Sequence, residues 1–213
     1  MYSFRKKINV KFIDLFLKLN NFKIRNFDND KKILLVDRNL PESNIVSSYF
    51  AYILNKKYKY NIYLLNNLSS NNDLNKIYNS FNIKNEFNIN INKVFFERPN
   101  LIIKSIFLSI PTILMLIVKS RKWFIEKFKI NKIHLGDIVY DTYVRNDNNY
   151  DRKKLFNLKF IKLIIITYFK FLYIENLIKK YNFNYIISNT HTYISNSAIA
   201  MRIGLNRKIK IIN

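Results

Sequence analysis

Carboxylates, an arginine and aromatic rings recur at helical spacing in the segment IHLGDIVYDTYVR, positions 133–145. A helix starting at Asp137 would place Asp137, Asp141 and Arg145 on one face, next to a stripe that contains Tyr140. Such a face could bind a sugar, because carboxylates accept hydrogen bonds from hydroxyls and rings pack on pyranose faces. The structural alternative is that Asp137 caps the helix and Asp141 pairs with Arg145. Both interpretations are compatible with the spacing.

A second polar cluster, SNTHTY, begins at position 188, directly after an apolar run that predicts a strand. Its candidate ligand-binding residues are Asn189 and Tyr193, and His191 could act as a general base because its pKa is near neutrality. Asp37-Arg38-Asn39 follows the first predicted strand in the same way. Ligands of open α/β sheets bind at such strand ends. A purely structural role for a lone histidine is the alternative.

Several common chemistries are excluded by residue counts. The chain has two glycines, Gly136 and Gly204, whereas the phosphate loops of P-loop NTPases and dinucleotide dehydrogenases need several. It has no cysteine, so disulfides and thiolate metal sites are excluded. Asp28-Asn29-Asp30 has the DxD form of metal-dependent sugar transferases, but it precedes a strand instead of following one. We interpret it as a solvated loop and expect no metal site and no resident cofactor.

Strands and helices alternate along the sequence, which predicts an α/β fold with a parallel sheet. The predicted strands are 32–37, 61–65, 185–188 and 208–212, and the predicted helices are 43–55, 73–81, 101–118, 158–181 and a helix ending near Ile203. Gly204 is then the expected C-cap of that last helix. Residues 1–30 are expected to form an N-terminal amphipathic segment, and residues 31–213 the α/β domain.

The excess of basic residues indicates either an anionic partner or the amino-acid bias of an AT-rich genome. Lys and Arg total 37 against 14 Asp and Glu, a formal net charge of +23. The same sequence over-uses Lys, Asn and Ile, as AT-rich codons do, so the charge has two explanations. Nucleic acid is a weak third candidate for the function, because no recognisable binding module accompanies the charge.

The segment 101–118 is the most apolar of the chain and is close to the minimum length of a membrane span. Lys104 and Pro111 favour a buried or interfacial helix over a span. Basic residues around Trp123 and Phe124 follow it, which is typical of a protein resting on an anionic membrane surface. A core helix followed by a solvated basic helix is the alternative. From the basic segment we expect peripheral, salt-sensitive membrane association.

The segment GDIVYDTYVR resembles the G-D-hydrophobic-hydrophobic-Y-D-(S/T)-Y-hydrophobic-R segment of bacterial capsule and surface-polysaccharide biosynthesis proteins. ISNTHTYISNSAIAMRIGL is similar to a later strand–loop–helix of their amino-terminal domain, and KILLVDRNLPESNIVSSYFAYIL fits the opening strand and helix. The resemblance covers about residues 30–213.

The resemblance implies a Rossmann-like fold and the amino-terminal, acceptor-binding half of a GT-B glycosyltransferase. It implies catalytic roles for His191 and Asp141 and substrate-binding roles for five further residues, with Asn189 added from its position after the strand. These residues are Gly136, Asp137, Tyr140, Arg145 and Tyr193. The implied partners are a nucleotide-sugar donor as co-substrate, a sugar or lipid-linked glycan acceptor, and the anionic inner face of the plasma membrane. The alternative is a non-catalytic module that binds carbohydrate, membrane or a partner subunit.

Overall fold

The computed structural model describes residue 15 and the ranges 22–36, 41–66, 72–89, 97–146, 157–188 and 196–212. Within these ranges the chain is an α/β domain built on one five-stranded parallel sheet and one short antiparallel hairpin. The strands are β1 (Lys32–Val36), β2 (Asn61–Asn66), β3 (Asn85–Asn88), β4 (Lys129–Ile130), β5 (Ile133–His134), β6 (Tyr185–Ile187) and β7 (Lys210–Ile212). The predicted fold class is therefore confirmed, with helices flanking a sheet consistent with a Rossmann-like arrangement.

The sheet has the order β3-β2-β1-β6-β7, and every neighbouring pair is parallel. β1 lies at its centre because its residues are apolar on both faces. Ile33 and Leu35 point into one core cluster and Leu34 and Val36 into the other, and each is at most 3% exposed. This double burial explains why the strand reads as a continuous apolar run instead of an alternating one.

Helices cover both faces of the sheet. They are α1 (Pro41–Tyr58), α2 (Asn72–Ser80), α3 (Pro99–Val118), α4 (Arg121–Lys127), α5 (Gly136–Asn146), α6 (Leu158–Tyr181) and α7 (Asn196–Asn206). α1 and α2 supply one core cluster, whereas the other is built from α3 to α7. α6 is the central helix of the second layer, since it contacts α3, α5 and α7.

The ends of α6 agree with the prediction and have clear causes. The Asn157 side chain accepts a hydrogen bond from the Phe160 amide and caps the first turn. Asn182 adopts a left-handed conformation with φ of 51°, which terminates the helix as a C-cap.

The prediction for Gly204 was wrong. Gly204 lies inside α7, which continues to Asn206, and it does not have a positive φ. A Cβ at this position would come within 2.7 Å of Ile186 Cδ1 and 2.8 Å of Ile211 Cδ1. Glycine therefore allows a close contact between α7 and the isoleucine side chains of the sheet and does not end the helix.

Candidate functional site

The order of the sheet strands reverses between β1 and β6. From β1 the chain moves outward to β2 and β3, and from β6 it moves in the opposite direction to β7. β1 and β6 are adjacent and in register, with Leu35 beside Ile187, so their carboxyl ends lie side by side. In open α/β sheets the crevice at such a reversal is the usual place for a ligand. The expectation that the first strand and the YII strand end at the same edge of the sheet is confirmed, whereas Asp37 and the loop after it lie outside the described residues.

Of the buried polar atoms without hydrogen-bond partners in the described ranges, four lie on residues at the end of a strand or at the start of α7, and the fifth lies within α1. Asn66 is the last residue of β2, and Ser188 directly follows β6. Within the described ranges, the unpartnered buried atoms are Ser48 Oγ, Asn66 Oδ1, Ser188 Oγ, Asn196 Oδ1 and Ser197 Oγ. Leaving a buried polar atom unpaired costs roughly 1–3 kcal/mol. A polar ligand would relieve that cost, so these atoms mark the candidate site.

The first turn of α7 belongs to the same edge. Asn196 and Ser197 are the first two residues of this 11-residue helix, and they are 6% and 0% exposed. Backbone N–H groups at a helix N-terminus point outward and carry partial positive charge, which favours phosphate or carboxylate. The site therefore combines hydroxyl and amide groups with a helix end suited to an anion.

Basic and aromatic side chains extend this edge toward β3. The Tyr173 hydroxyl in α6 donates to the carbonyl oxygen of Asn88, the last residue of β3, at 3.1 Å. The Arg98 guanidinium stands 5.7 Å from the centre of the Tyr173 ring. Lys170 lies one helical turn before Tyr173, and burial lowers its pKa to about 8. Among the described ion pairs none involves Lys170, so a bound anion would stabilise its charged form.

Asp137 is engaged in the structure by an arginine from another helix. Arg202 in α7 donates two parallel hydrogen bonds to the Asp137 carboxylate, at 2.7 and 2.5 Å, and a third to the carbonyl oxygen of His134 at 2.6 Å. Burial alone would raise the pKa of Asp137, but the hydrogen bonds and charge of Arg202 outweigh it and lower that pKa. His134 Nδ1 approaches the same carboxylate at 3.3 Å. The pair ties α5 to α7 across 65 residues of sequence.

Gly136 has an equally local explanation. A Cβ at Gly136 would clash with the carbonyl oxygen of Phe124 and lie 2.6 Å from that of Ile125. The start of α5 therefore approaches the backbone at the end of α4 too closely for any side chain. His134 Nε2 lies 2.6 Å from the same Ile125 carbonyl oxygen, which strengthens this contact. The Gly-Asp pair thus fixes how α4, α5 and α7 fit together.

The other predicted residues of α5 lie toward solvent. Tyr140 receives a hydrogen bond of 3.2 Å from Arg121, whose guanidinium also stands over its ring. Asp141 and Arg145 are exposed, and the ion pair predicted between them is not among the ion pairs of the described residues. The helix begins at Gly136, so Asp137 lies in its first turn instead of at the N-cap.

The remaining predicted residues lie outside the described ranges. These are Asp37, Arg38 and Asn39 after β1, and Asn189, His191 and Tyr193 after β6. Their roles, and the convergence of their loops with the Asp137–Arg145 segment, stay predictions. The amphipathic helix expected near the N-terminus also falls mostly outside these ranges.

The DxD-like loop, residues 28–30, lies at the amino-terminal edge of the sheet, opposite the candidate site. Asp28 and Asp30 precede β1, and the Asn29 side chain accepts a hydrogen bond from the Lys31 amide at 3.1 Å, which makes a local turn. In the part of the chain that the structure describes, no three His, Asp or Glu side chains gather as metal ligands would.

The sequence analysis identified Ser188 but missed two other polar residues of the candidate site, Asn66 and Ser48. Asn66 ends an apolar strand, as Ser188 follows one, and Ser48 is one of several polar residues buried on the inner face of α1. The partner of Asp137 was also missed. Arg202 lies among apolar residues in AIAMRIGL, and a charge in such a setting requires a partner.

Comparison with known proteins identifies no relative. No protein-family model matches the chain, and no curated protein and no solved structure matches it either.

Proposed function

We propose that this chain is the acceptor-binding half of a glycosyltransferase-like protein of surface-polysaccharide assembly, with its ligand at the carboxyl edge between β1 and β6. The observation that supports this most is the set of buried, unpartnered polar atoms around that edge. Sugars and phosphates offer many hydrogen-bonding groups, and such a ligand would pair with them.

The neighbouring groups suit a phosphorylated sugar ligand. The first turn of α7 would accept a phosphate through its backbone N–H groups. Arg98 stands beside Tyr173, which bonds the end of β3, and Lys170 lies one turn earlier on α6, so the charge of a diphosphate could extend toward them. In this proposal His191 removes the proton from the acceptor hydroxyl as its oxygen attacks the anomeric carbon, and the nucleoside diphosphate leaves.

A non-catalytic binding module is the second candidate. It is favoured by the engagement of Asp137, since a carboxylate held by two hydrogen bonds from Arg202 is not available for the sugar-binding role that the resemblance to transferases implies. Both candidates use the same edge of the sheet, and they differ only in whether bond exchange follows binding.

Titration of the protein with nucleoside diphosphates, their sugar conjugates and a prenyl-diphosphate-linked sugar tests the proposal, with binding followed by calorimetry. We expect at least one of these ligands to bind, and Ser188→Ala to weaken it. Turnover of a sugar conjugate with an acceptor would support the transferase, whereas binding without turnover would support the module. Binding of none of the three ligand classes would overturn both candidates.

A further inference from the structure

The helix α3 exposes most of its large apolar side chains and buries two small polar ones, the reverse of an ordinary surface helix. Its buried residues are Ser105, Ser109 and Leu116, whereas much of its apolar surface faces outward. The exposed apolar residues at three- and four-residue spacing are Ile103, Ile106, Phe107, Ile110, Leu114, Ile117 and Val118, which we call the outer face of α3. A contiguous exposed apolar face of this kind marks an interaction surface.

The inner side of α3 is held by α6. Ser105 and Ser109 are small enough to allow close approach, and their hydroxyls donate to the helix's own backbone at Leu101 and Ile106. The Thr112 hydroxyl lies 2.8 Å from the Tyr168 hydroxyl of α6. α3 is long and apolar enough to cross a membrane, but crossing would break these contacts with α6. Its attachment favours a helix that lies in the plane of a surface.

We propose that the outer face of α3 docks the domain onto an anionic lipid bilayer, with the helix parallel to the membrane plane. This inference goes beyond the proposed function, because it would hold whatever the domain binds at its sheet edge. The helix is 20 residues long, about 30 Å, and would insert a stripe of bulky aliphatic and aromatic side chains at the level of the acyl chains.

The charge of the protein favours an anionic bilayer over a second copy of the chain as the partner of the outer face of α3. Lys104 is exposed on the flank of the outer face, and Lys119, Arg121 and Lys122 are exposed just beyond its C-terminal end. The chain carries a formal net charge of +23, so two copies facing each other would repel. Anionic headgroups would instead attract the same residues, at about 1 kcal/mol per basic side chain near the surface.

The structure favours the outer face of α3, instead of the segment around Trp123, as the part of the protein that inserts into the membrane. The basic segment around Trp123 was expected to drive membrane association, but Phe124 is fully buried and Trp123 packs against the core. The basic residues thus supply attraction, and the outer face of α3 supplies the apolar anchor. Trp123 is the chain's only tryptophan and lies close to the end of α3, which makes it a built-in fluorescent probe.

Vesicle binding by two matched variants tests this proposal. Phe107→Gln/Leu114→Gln removes two side chains of the outer face that are 65% and 58% exposed, and Val46→Gln/Leu205→Gln removes two that are 67% and 63% exposed elsewhere. Flotation with phosphatidylcholine vesicles, with and without phosphatidylglycerol, measures the partition coefficient. Emission of Trp123 follows binding independently.

We expect the α3 variant to bind at least about tenfold more weakly than the wild type, while the control variant binds normally. High salt should weaken binding to anionic vesicles without abolishing it, because the apolar contribution is not screened. Equal binding by the two variants would overturn the proposal. So would a concentration-dependent dimer without vesicle binding, or carbonate-resistant insertion, which would identify a second copy or a span respectively. Ligand binding at the sheet edge should be unchanged by either variant, so the two proposals fail separately.

Discussion

Asp137→Asn should destabilise the protein without changing what it binds. The substitution keeps the size of the side chain but removes its negative charge, and the amide nitrogen would face the Arg202 guanidinium as a second donor. The contact that ties α5 to α7 would lose one or both of its hydrogen bonds. Asp137 should therefore behave as a structural residue, although it belongs to the segment that resembles polysaccharide enzymes.

The stability lost in Asp137→Asn depends on how far the Asp137–Arg202 ion pair is exposed to solvent. Breaking a buried ion pair costs about 3–5 kcal/mol, and breaking an exposed one costs about 0–1 kcal/mol. The side chains of Asp137 and Arg202 are 42% and 25% exposed, so solvent screens part of the interaction. We expect about 2 kcal/mol, which for a chain of this size lowers the melting temperature by about 4–8 °C.

Urea unfolding of the wild type, Asp137→Asn and Asp141→Asn measures this difference. Asp141 is a matched control, because it lies one turn later on the same helix and is exposed. Its variant should unfold within about 0.5 kcal/mol of the wild type. The interpretation is refuted if Asp137→Asn is as stable as Asp141→Asn and instead loses ligand binding.

The pH dependence gives a second test of the same pair. The pKa of Asp137 is lowered in the folded protein, so the folded state binds its proton less readily than the unfolded chain does. Its stabilisation is fully present above the unfolded pKa of about 3.9 and is lost as the pH falls through the folded value. The stability gap between wild type and Asp137→Asn should close in acid and stay constant near neutrality.

Four further substitutions have defined expectations. Gly136→Ala should destabilise the protein more than Gly204→Ala, because the first added Cβ meets backbone carbonyls and the second meets flexible side-chain ends, and urea unfolding ranks the two variants. Lys170→Met should raise the free energy of unfolding near pH 7 by about 1–3 kcal/mol, because it removes a charge that burial disfavours. This gain should shrink as the pH rises from 8 toward 10.5, because the wild-type lysine loses its proton at a lower pH in the folded protein than in the unfolded chain. Thr112→Val should cost about 1 kcal/mol by removing the hydrogen bond to Tyr168, and thermal unfolding should show the loss.

The sheet was predictable where strands are apolar and buried on both faces. After their first residues, KILLV, NIYLL and YII contain only apolar residues and one tyrosine, so composition and length identify them as central strands. β3 was not predicted because Asn85-Glu86-Phe87-Asn88 is an edge strand with one apolar residue. The β4–β5 hairpin was missed because each strand has two residues, and its turn depends on Asn131 and Lys132 with φ of 48° and 69°.

The site was predictable as an edge of the sheet but not as a set of contacts. The position of Ser188 after a strand correctly indicated the carboxyl edge. The partnership of Asp137 and Arg202 is tertiary, and no periodicity connects residues 65 positions apart. The role of Gly204 was likewise not predictable from the sequence. A glycine near the end of a helix can be a C-cap or can allow a close contact, and which of the two applies depends on the strands packed against it.

The central claim, that unpartnered buried polar groups at the carboxyl edge form a ligand site, is tested most directly by Ser197→Ala. Its hydroxyl is 0% exposed and unpartnered, so its removal should raise stability by up to about 1 kcal/mol while weakening calorimetric binding of uridine diphosphate or its sugar conjugates by about tenfold. Ser105→Ala is the control, because its buried hydroxyl already bonds the Leu101 carbonyl and its loss should leave binding unchanged. A Ser197→Ala protein that is less stable than the wild type and binds these nucleotides equally well would contradict the claim.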